Sequence, residues 1–281
     1  MIIWLASYPK SGNTWLRSLI SGLMYSDDGV FNFNYIKKIK QFPSKEFFKD
    51  FTKDFYNIHE VKKYWILAQE KINLDNKVKF LKTHNLNCNI DNYSFSDKNN
   101  TLATIYIVRD PRNLVNSISN HFGKSIEESK NFILSPKLIS THKQTYSAGG
   151  EVITYMGSWQ EHFNFWTKNT ENLLLIKYED LISDPHRELN KIINFLKEFC
   201  EFEANENKKK NLINSTSFES LKKMEQQGYF TESVFSKNSP KKIDFFNKGP
   251  NNIWKDNLRK DIQEEIESKL KKEMLELGYL K

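Results

Sequence analysis

Near the start of this chain an apolar run is followed by a turn made for an anion. Ile2 to Ala6 (IIWLA) reads as a strand, Leu16 to Tyr25 as a helix, and SYPKSGNTW, residues 7–15, joins them. A short turn between a strand and a helix start gathers backbone N–H groups at one point and adds the positive end of the helix. Lys10 brings a full charge to that point, and Ser11, Gly12, Asn13 and Thr14 bring hydroxyl, amide and close backbone approach, with Trp15 closing the turn. The nucleoside-triphosphate loop reads G-x-x-x-x-G-K-[ST]. Here the lysine precedes a single glycine. The competing reading is a chance strand–turn–helix with a solvated lysine.

The elements around this turn follow from pattern. Strands are expected over 77–82 (KVKFLK), 102–108 (LATIYIV) and 172–177 (NLLLIK), with helices near 44–56, 59–70, 111–122, 126–134, 155–168, 185–199 and 218–227. Ile262, Ile266, Leu270 and Met274 recur every four residues and predict an amphipathic final helix. Residues 135–151 and 228–251 read as irregular, and the Asn-rich stretches 85–100 and 205–215 as surface loops. Strands alternating with helices predict an α/β fold, a central parallel sheet flanked by helices, in one domain over 1–281. Four strand ends then carry polar groups: Lys10, His84, Arg109 and Tyr178. In a parallel sheet these lie along one edge, where such folds bind ligands.

Composition narrows the function classes. The 281 residues suffice for a sizeable core, and aromatics at 14% argue for a folded chain despite a mean hydropathy of -0.65. The net charge of +7 is spread along the chain; no basic block interleaved with aromatics suggests nucleic acid. Of 42 basic residues only Arg17, Arg109, Arg112, Arg187 and Arg259 are arginines. Where lysine is the default cation, an arginine marks a need for its bidentate fork; at Arg187 and Arg259 chance placement is the simpler reading. Cys88 and Cys200 form no disulfide or metal pattern. No signal-peptide pattern opens the chain, and no uncharged run approaches the ~20 residues of a membrane helix, so a soluble, cytoplasmic protein without membrane insertion is expected.

YPKSGNTW resembles the 5′-phosphosulfate loop of cytosolic-type sulfotransferases, which use 3′-phosphoadenosine 5′-phosphosulfate (PAPS), and further motifs follow in family order. IYIVRDPRNLVNS, residues 105–117, is similar to the family's 3′-phosphate segment; the resemblance implies that Arg109 and Ser117 clasp that phosphate. Arg109 offers phosphate a planar pair of donors. Thr216, Ser217 and Phe218 resemble the loop on the adenosine side, Tyr178 the tyrosine that reaches the adenine, and Trp15 the ring that stacks on the base. Gly157, Ser158 and Trp159, with His162 and Trp166, resemble a structural helix of the family. Lys82-Thr83-His84 matches the family's Lys-Thr-His and implies that His84 is the general base, with Lys82 at the sulfuryl oxygens and Lys10 at the bridging oxygen. Histidine has the ordinary pKa for that role. His142 is the reserve base; His59, His121, His162 and His186 are read as surface or packing residues. Residues 246–255 (FNKGPNNIWK) align with the family's C-terminal phosphate element with two departures: Asn247 stands for its arginine and Asn252-Ile253 for its Gly-Asp pair. Lys248 and the Gly249 amide remain, so weaker clamping is expected here, or a substitute cation such as Arg112, which reads equally well as a solvated helix-start residue. The segment after Trp254 lacks the family's dimer signature, leaving the oligomeric state open.

The resemblance implies transfer of a sulfuryl group from PAPS to a hydroxyl, or an amine, of a small-molecule acceptor, with adenosine 3′,5′-bisphosphate as product and no metal required. Two other readings are a P-loop kinase, with Lys10 on the phosphates and Asp110 on Mg²⁺, and a non-catalytic nucleotide-binding protein. The order of Lys10 and Gly12 speaks against the first, and the presence of Lys10, Lys82 and His84 against the second. Acceptor choice is expected to rest with the irregular segments 27–75, 85–98, 135–155 and 228–246. Their aromatic content suits a pocket for a flat or mixed polar ligand or, the simpler reading, packing beneath loops.

Overall fold

A computed structural model describes residues 1–139, 152–232, 234–235 and 242–281. Five strands build the central sheet: β1 (Ile2–Ala6), β2 (Lys40–Gln41), β3 (Lys79–Thr83), β4 (Thr101–Val108) and β5 (Leu173–Lys177). Their order is β2-β3-β1-β4-β5 and every neighbouring pair is parallel. The expected α/β architecture is therefore present. The chain moves to one side of β1 for β2 and β3, then to the other for β4 and β5. The reversal leaves a crevice beyond the carboxyl ends of β1 and β4, the place where open parallel sheets take ligands.

The main helices are α1 (Asn13–Tyr25), α2 (Pro111–Phe122), α3 (Ile126–Leu134), α4 (Trp159–Lys168), α5 (Tyr178–Ser183), α6 (Pro185–Leu196), α7 (Glu206–Ser215), α8 (Phe218–Gln226), α9 (Lys260–Lys269) and α10 (Lys271–Glu276). They cover both faces of the sheet, so β1 is buried on both sides and reads as continuous apolar sequence. Alternation still sorts its residues. Ile2, Trp4 and Ala6 join one core with Tyr106, Trp159 and Trp166; Ile3 and Leu5 join the other with Leu16, Ile20, Ile105 and Ile107. A third cluster packs Phe31, Phe33 and Ile36 against Leu221, Phe230 and Phe246. Phe31, Phe33, Phe230 and Phe246 of those irregular segments thus serve packing, and Phe245 and Phe246 also line the cavity described below.

Some expectations need correction. Residues 206–215 form α7, not a loop. Asn205 caps it through Lys208 N, and Leu212, fully buried, packs where any Cβ on Gly22 would sit 2.5 Å from it. The long solvated face hid this helix from an apolar pattern. β2 gives no apolar signal because its two residues are polar; backbone pairing of Lys40 and Gln41 with Leu81 and Lys82 makes it a strand. Helix α4 begins at Trp159, later than expected, after Ser158 and Glu161 form a reciprocal capping box. The final helix divides into α9 and α10 at Leu270, yet Ile262, Ile266, Leu270 and Met274 are all buried as their spacing implied.

Arg112 proves to be a structural tie. Its guanidinium forks onto Asp110, reaches Glu267 Oε1 at 2.6 Å and the Tyr279 carbonyl at 2.8 Å, and lies 3.9 Å over the Trp254 ring. It locks the C-terminal helices onto α2 and is no substitute cation for the crevice. Arg112→Met should leave Asp110 buried without its partner and lower stability by about 3 kcal/mol, read as a shifted denaturant midpoint. Affinity for adenosine 3′,5′-bisphosphate at a temperature where the variant is folded should stay within about twofold of the unmodified chain.

Candidate functional site

The parallel sheet brings its polar strand ends to one cavity of about 430 Å³. Lys10 enters from the turn after β1, Lys82 and His84 from the end of β3, Arg109 from the end of β4 and Tyr178 from the end of β5. Two segments from later in the chain close it, Phe218 at the start of α8 and the strap 245–252. Thirteen of the sixteen candidate residues line this space: Lys10, Gly12, Asn13, Thr14, Trp15, Lys82, His84, Arg109, Ser117, Tyr178, Phe218, Lys248 and Gly249. Ser11, Thr216 and Ser217 do not. Ser11 is fully buried. Thr216 Oγ1 donates to the Leu212 carbonyl at the end of α7, and Ser217 caps α8 through Ser220 N. His142 lies outside the described residues.

The turn's geometry explains its spelling. Lys10 and Gly12 take left-handed backbone, φ 67° and 101°. A Cβ on Gly12 would stand 2.5 Å from the Tyr178 ring, so only glycine fits between turn and ring. No side chain caps α1. Its first-turn N–H groups are left for whatever enters the cavity. Asn13 is an internal brace: Nδ2 donates to the Leu5 carbonyl and to Ser7 Oγ. Trp15 meets Tyr178 edge to face, centroids 5.8 Å apart.

His84 is oriented from behind. Its Nδ1 lies 2.6 Å from the Ser7 carbonyl oxygen. A carbonyl only accepts, so Nδ1 carries the proton and Nε2 is left as the basic nitrogen. The neighbouring backbone is held by α4: His162 Nε2 donates to the His84 carbonyl and Trp166 Nε1 to that of Asn85. Tyr106 Oη donates to His162 Nδ1 at 2.8 Å. The helix expected to be structural therefore supports the His84 segment. Burial, then the Lys82 charge, hold the His84 imidazole well below its ordinary pKa, so it is neutral at pH 7 with Nε2 unprotonated.

The cations are concentrated and poorly solvated. Burial, with Arg109 and Lys82 nearby, brings Lys10 down to about 7. Burial brings Lys82 to about 8, with Glu232 opposing and Arg17 adding to the shift. Lys10 Nζ rests 3.9 Å from the centre of the Phe245 ring. Arg109 stacks on Tyr178 at 4.2 Å but makes only long bonds, 3.3 Å to the Lys10 carbonyl and 3.5 Å to Ser117 Oγ and to the Gly249 carbonyl. Asn13 Oδ1, Trp15 Nε1, Arg109 Nε, Asn116 Nδ2 and Asn252 Oδ1 are all buried without a partner among the described residues, and all five residues line the cavity. Buried polar atoms are nearly always bonded. Their clustering here fits a ligand rich in oxygen, nitrogen and negative charge.

Glu232 and the buried place of His121 escape a reading of the sequence alone, and Asn252 shows there only as a departure. Glu232 receives Arg17 Nη1 on both oxygens, at 2.9 and 3.0 Å. Scarcity marks Arg17 as a fork, but its partner lies far along the chain. His121, read as surface or packing, stands edge-on to Phe245 at 5.8 Å; burial, Lys10 and Lys82 lower it to about 2 and keep it neutral. Asn252 reaches Ser117 Oγ at 3.0 Å. Buried Glu225 accepts from Phe245 N and Phe246 N at 2.8 and 2.9 Å and fixes the strap above Lys10.

Residues 2–278 match the sulfotransferase domain. Human sulfotransferase 2A1 is 24% identical over 276 residues, 97% of this chain and 84% of that protein. Mouse sulfotransferase 1B1 is 27% identical over 276 residues, covering 97% and 82%. Cytosolic sulfotransferase 13 of Arabidopsis thaliana is 24% identical over 282 residues, covering 97% and 76%. Among solved structures, mouse sulfotransferase SULT7A1 complexed with PAP aligns at TM-score 0.59 and 21% identity over 97% of this chain and 84% of its own. Retinol dehydratase in a complex with retinol and PAP aligns at 0.61 and 18%, covering 97% and 81%. The chain thus belongs to the sulfotransferase family, as its motifs implied, and is a sulfuryl-transfer enzyme.

The depressed lysines make anion binding proton-linked. At pH 8 the free Lys10, at about 7, is mostly neutral, and a bound anion favours its charged form. Binding of adenosine 3′,5′-bisphosphate at pH 8 should take up about one proton, read from calorimetry in buffers of different ionisation enthalpy. The Lys10→Met variant should lose most of that uptake. An unchanged uptake would move the linkage to another group.

Proposed function

We propose that this enzyme transfers the sulfuryl group of PAPS to a hydroxyl, or an amine, of a small-molecule acceptor, with His84 as general base. The observation that carries this reading is the single cavity shared by Lys10, Lys82, His84 and Arg109, ringed by unpartnered buried polar atoms. The PAP complexes of structural neighbours support the choice of donor. The retinol complex supports a small-molecule acceptor.

In this reading Arg109, Ser117, Lys248 and the Gly249 amide hold the 3′-phosphate, and the α1 turn with Thr14 holds the 5′-phosphosulfate. Trp15, Tyr178 and Phe218 form the aromatic walls for the adenine. Neutral His84 takes the acceptor's proton on Nε2. The acceptor oxygen then bonds to sulfur while the bond from sulfur to the bridging oxygen breaks, leaving adenosine 3′,5′-bisphosphate. Lys10 stabilises the charge that grows on the bridging oxygen and Lys82 that on the sulfuryl oxygens. No carboxylate lies among these roles; Glu232 is occupied by Arg17. We further take residues 1–281 as one cytoplasmic domain, a location in keeping with the Arabidopsis relative's description as cytosolic. No helix among the described residues is long and apolar enough to cross a membrane.

His84→Ala should keep adenosine 3′,5′-bisphosphate affinity and lose at least ~100-fold in kcat, the range for removing a general base. Sulfuryl transfer from labelled PAPS to a panel of phenols, alcohols, sugars and amines measures this. Near-normal turnover would move the base to another residue, and tighter binding of Mg-ATP than of the bisphosphate would overturn the donor assignment.

A further inference from the structure

We infer that Asn252 is a donor-recognition residue that orients the Ser117 hydroxyl toward the 3′-phosphate and accepts a hydrogen bond from the adjacent ribose 2′-hydroxyl. The inference rests on the proposed PAPS chemistry. It begins from a departure, since the family element this segment resembles has glycine where Asn252 stands, and the arginine expected nearby is Asn247.

Asn252 is 5% exposed and lines the cavity. One end of its amide lies 2.7 Å from the Asn113 carbonyl oxygen. A carbonyl cannot donate, so that end is Nδ2 and the other is the oxygen. Nδ2 also lies 3.0 Å from Ser117 Oγ, and Arg109 Nη1 lies 3.5 Å from the same oxygen. Both groups only donate. They occupy the acceptor side of the hydroxyl, so its proton is left to donate elsewhere. A serine held this way is preset as a phosphate ligand, and a neutral side chain makes good part of the missing cation.

Asn252 Oδ1 is the second half of the argument. It is buried and without a partner among the described residues. An ionised phosphate has no proton to offer it. The donor closest to a 3′-phosphate on the same sugar is the ribose 2′-hydroxyl, which would satisfy the oxygen once Arg109 and Ser117 hold the phosphate. The strap is rigid enough to keep this aim: Asn252 N donates to the Gly249 carbonyl at 3.2 Å, and Trp254 N to Asn113 Oδ1 at 2.8 Å.

Calorimetry on the full chain with adenosine 3′,5′-bisphosphate and its 2′-deoxy analogue tests this. The unmodified chain should bind the deoxy compound about fivefold more weakly, the worth of one hydrogen bond. Asn252→Ala should bind the two equally. Its loss of affinity for the ribo compound should shrink in a Ser117→Ala background, because the two residues act on one phosphate. An unmodified chain indifferent to the 2′-hydroxyl overturns the inference without any substitution. So does an Asn252→Ala variant that keeps the preference, or a loss that is fully additive with Ser117→Ala. If neither bisphosphate binds, the PAPS reading falls and this inference with it; if both bind equally well, only the role of Asn252 falls.

Discussion

Everything in this enzyme depends on five strands pointing the same way. Parallel pairing sends every carboxyl end to one edge, so groups far apart in sequence arrive together without long loops. The reversal between β1 and β4 decides where along that edge they meet. Lys10 and Arg109 come after the two strands that flank the crevice, and Arg109 leans back on the Lys10 carbonyl. Tyr178 then fills the space that Gly12 leaves open. The cation-lined cavity is thus a product of topology first and of side chains second.

Assembling cations away from water costs free energy, and the lysine pKa values record it. The structure offsets this in graded ways. Arg17, deeply buried, is balanced by Glu232. Arg112 is balanced by Asp110 and Glu267. Among the described residues Lys10 has the face of an aromatic ring and the more distant Glu225 charge, and Arg109 a ring, the Ser117 hydroxyl and distant carbonyls. Arg17 and Arg112, each paired with carboxylates, tie distant segments together, whereas Lys10 and Arg109, with no carboxylate contact among the described residues, face the cavity. Satisfaction, more than charge, separates scaffold from site.

Much of this was legible in the sequence because the informative groups sit at ends of regular elements. IIWLA and LATIYIV declare themselves as buried strands, and the residues just after each strand are forced to the sheet edge. Scarcity of arginine pointed to Arg17, which meets both oxygens of Glu232, but could not tell Arg112 as a tie from Arg112 as a ligand. That distinction depends on Glu267 and Tyr279, over 150 residues away, and no local pattern carries it. The same limit hid Glu232 and the place of His121, and left Asn252 a mere departure, because their surroundings are made by segments that meet only in three dimensions. Helix α7 failed for a different reason: one buried Leu212 on a polar helix leaves no period to read.

In the proposed mechanism Ser7 belongs to both halves of the chemistry. Its carbonyl fixes the proton on His84 Nδ1, while its hydroxyl takes the Asn13 amide that braces the phosphate turn. Cradle and base are therefore ruled from one origin. In that mechanism a shift of the turn would carry the imidazole with it and keep leaving group and proton acceptor aligned. In a mechanism built this way, an added or lost residue between Ala6 and Asn13 would break registration of the two reacting ends at once.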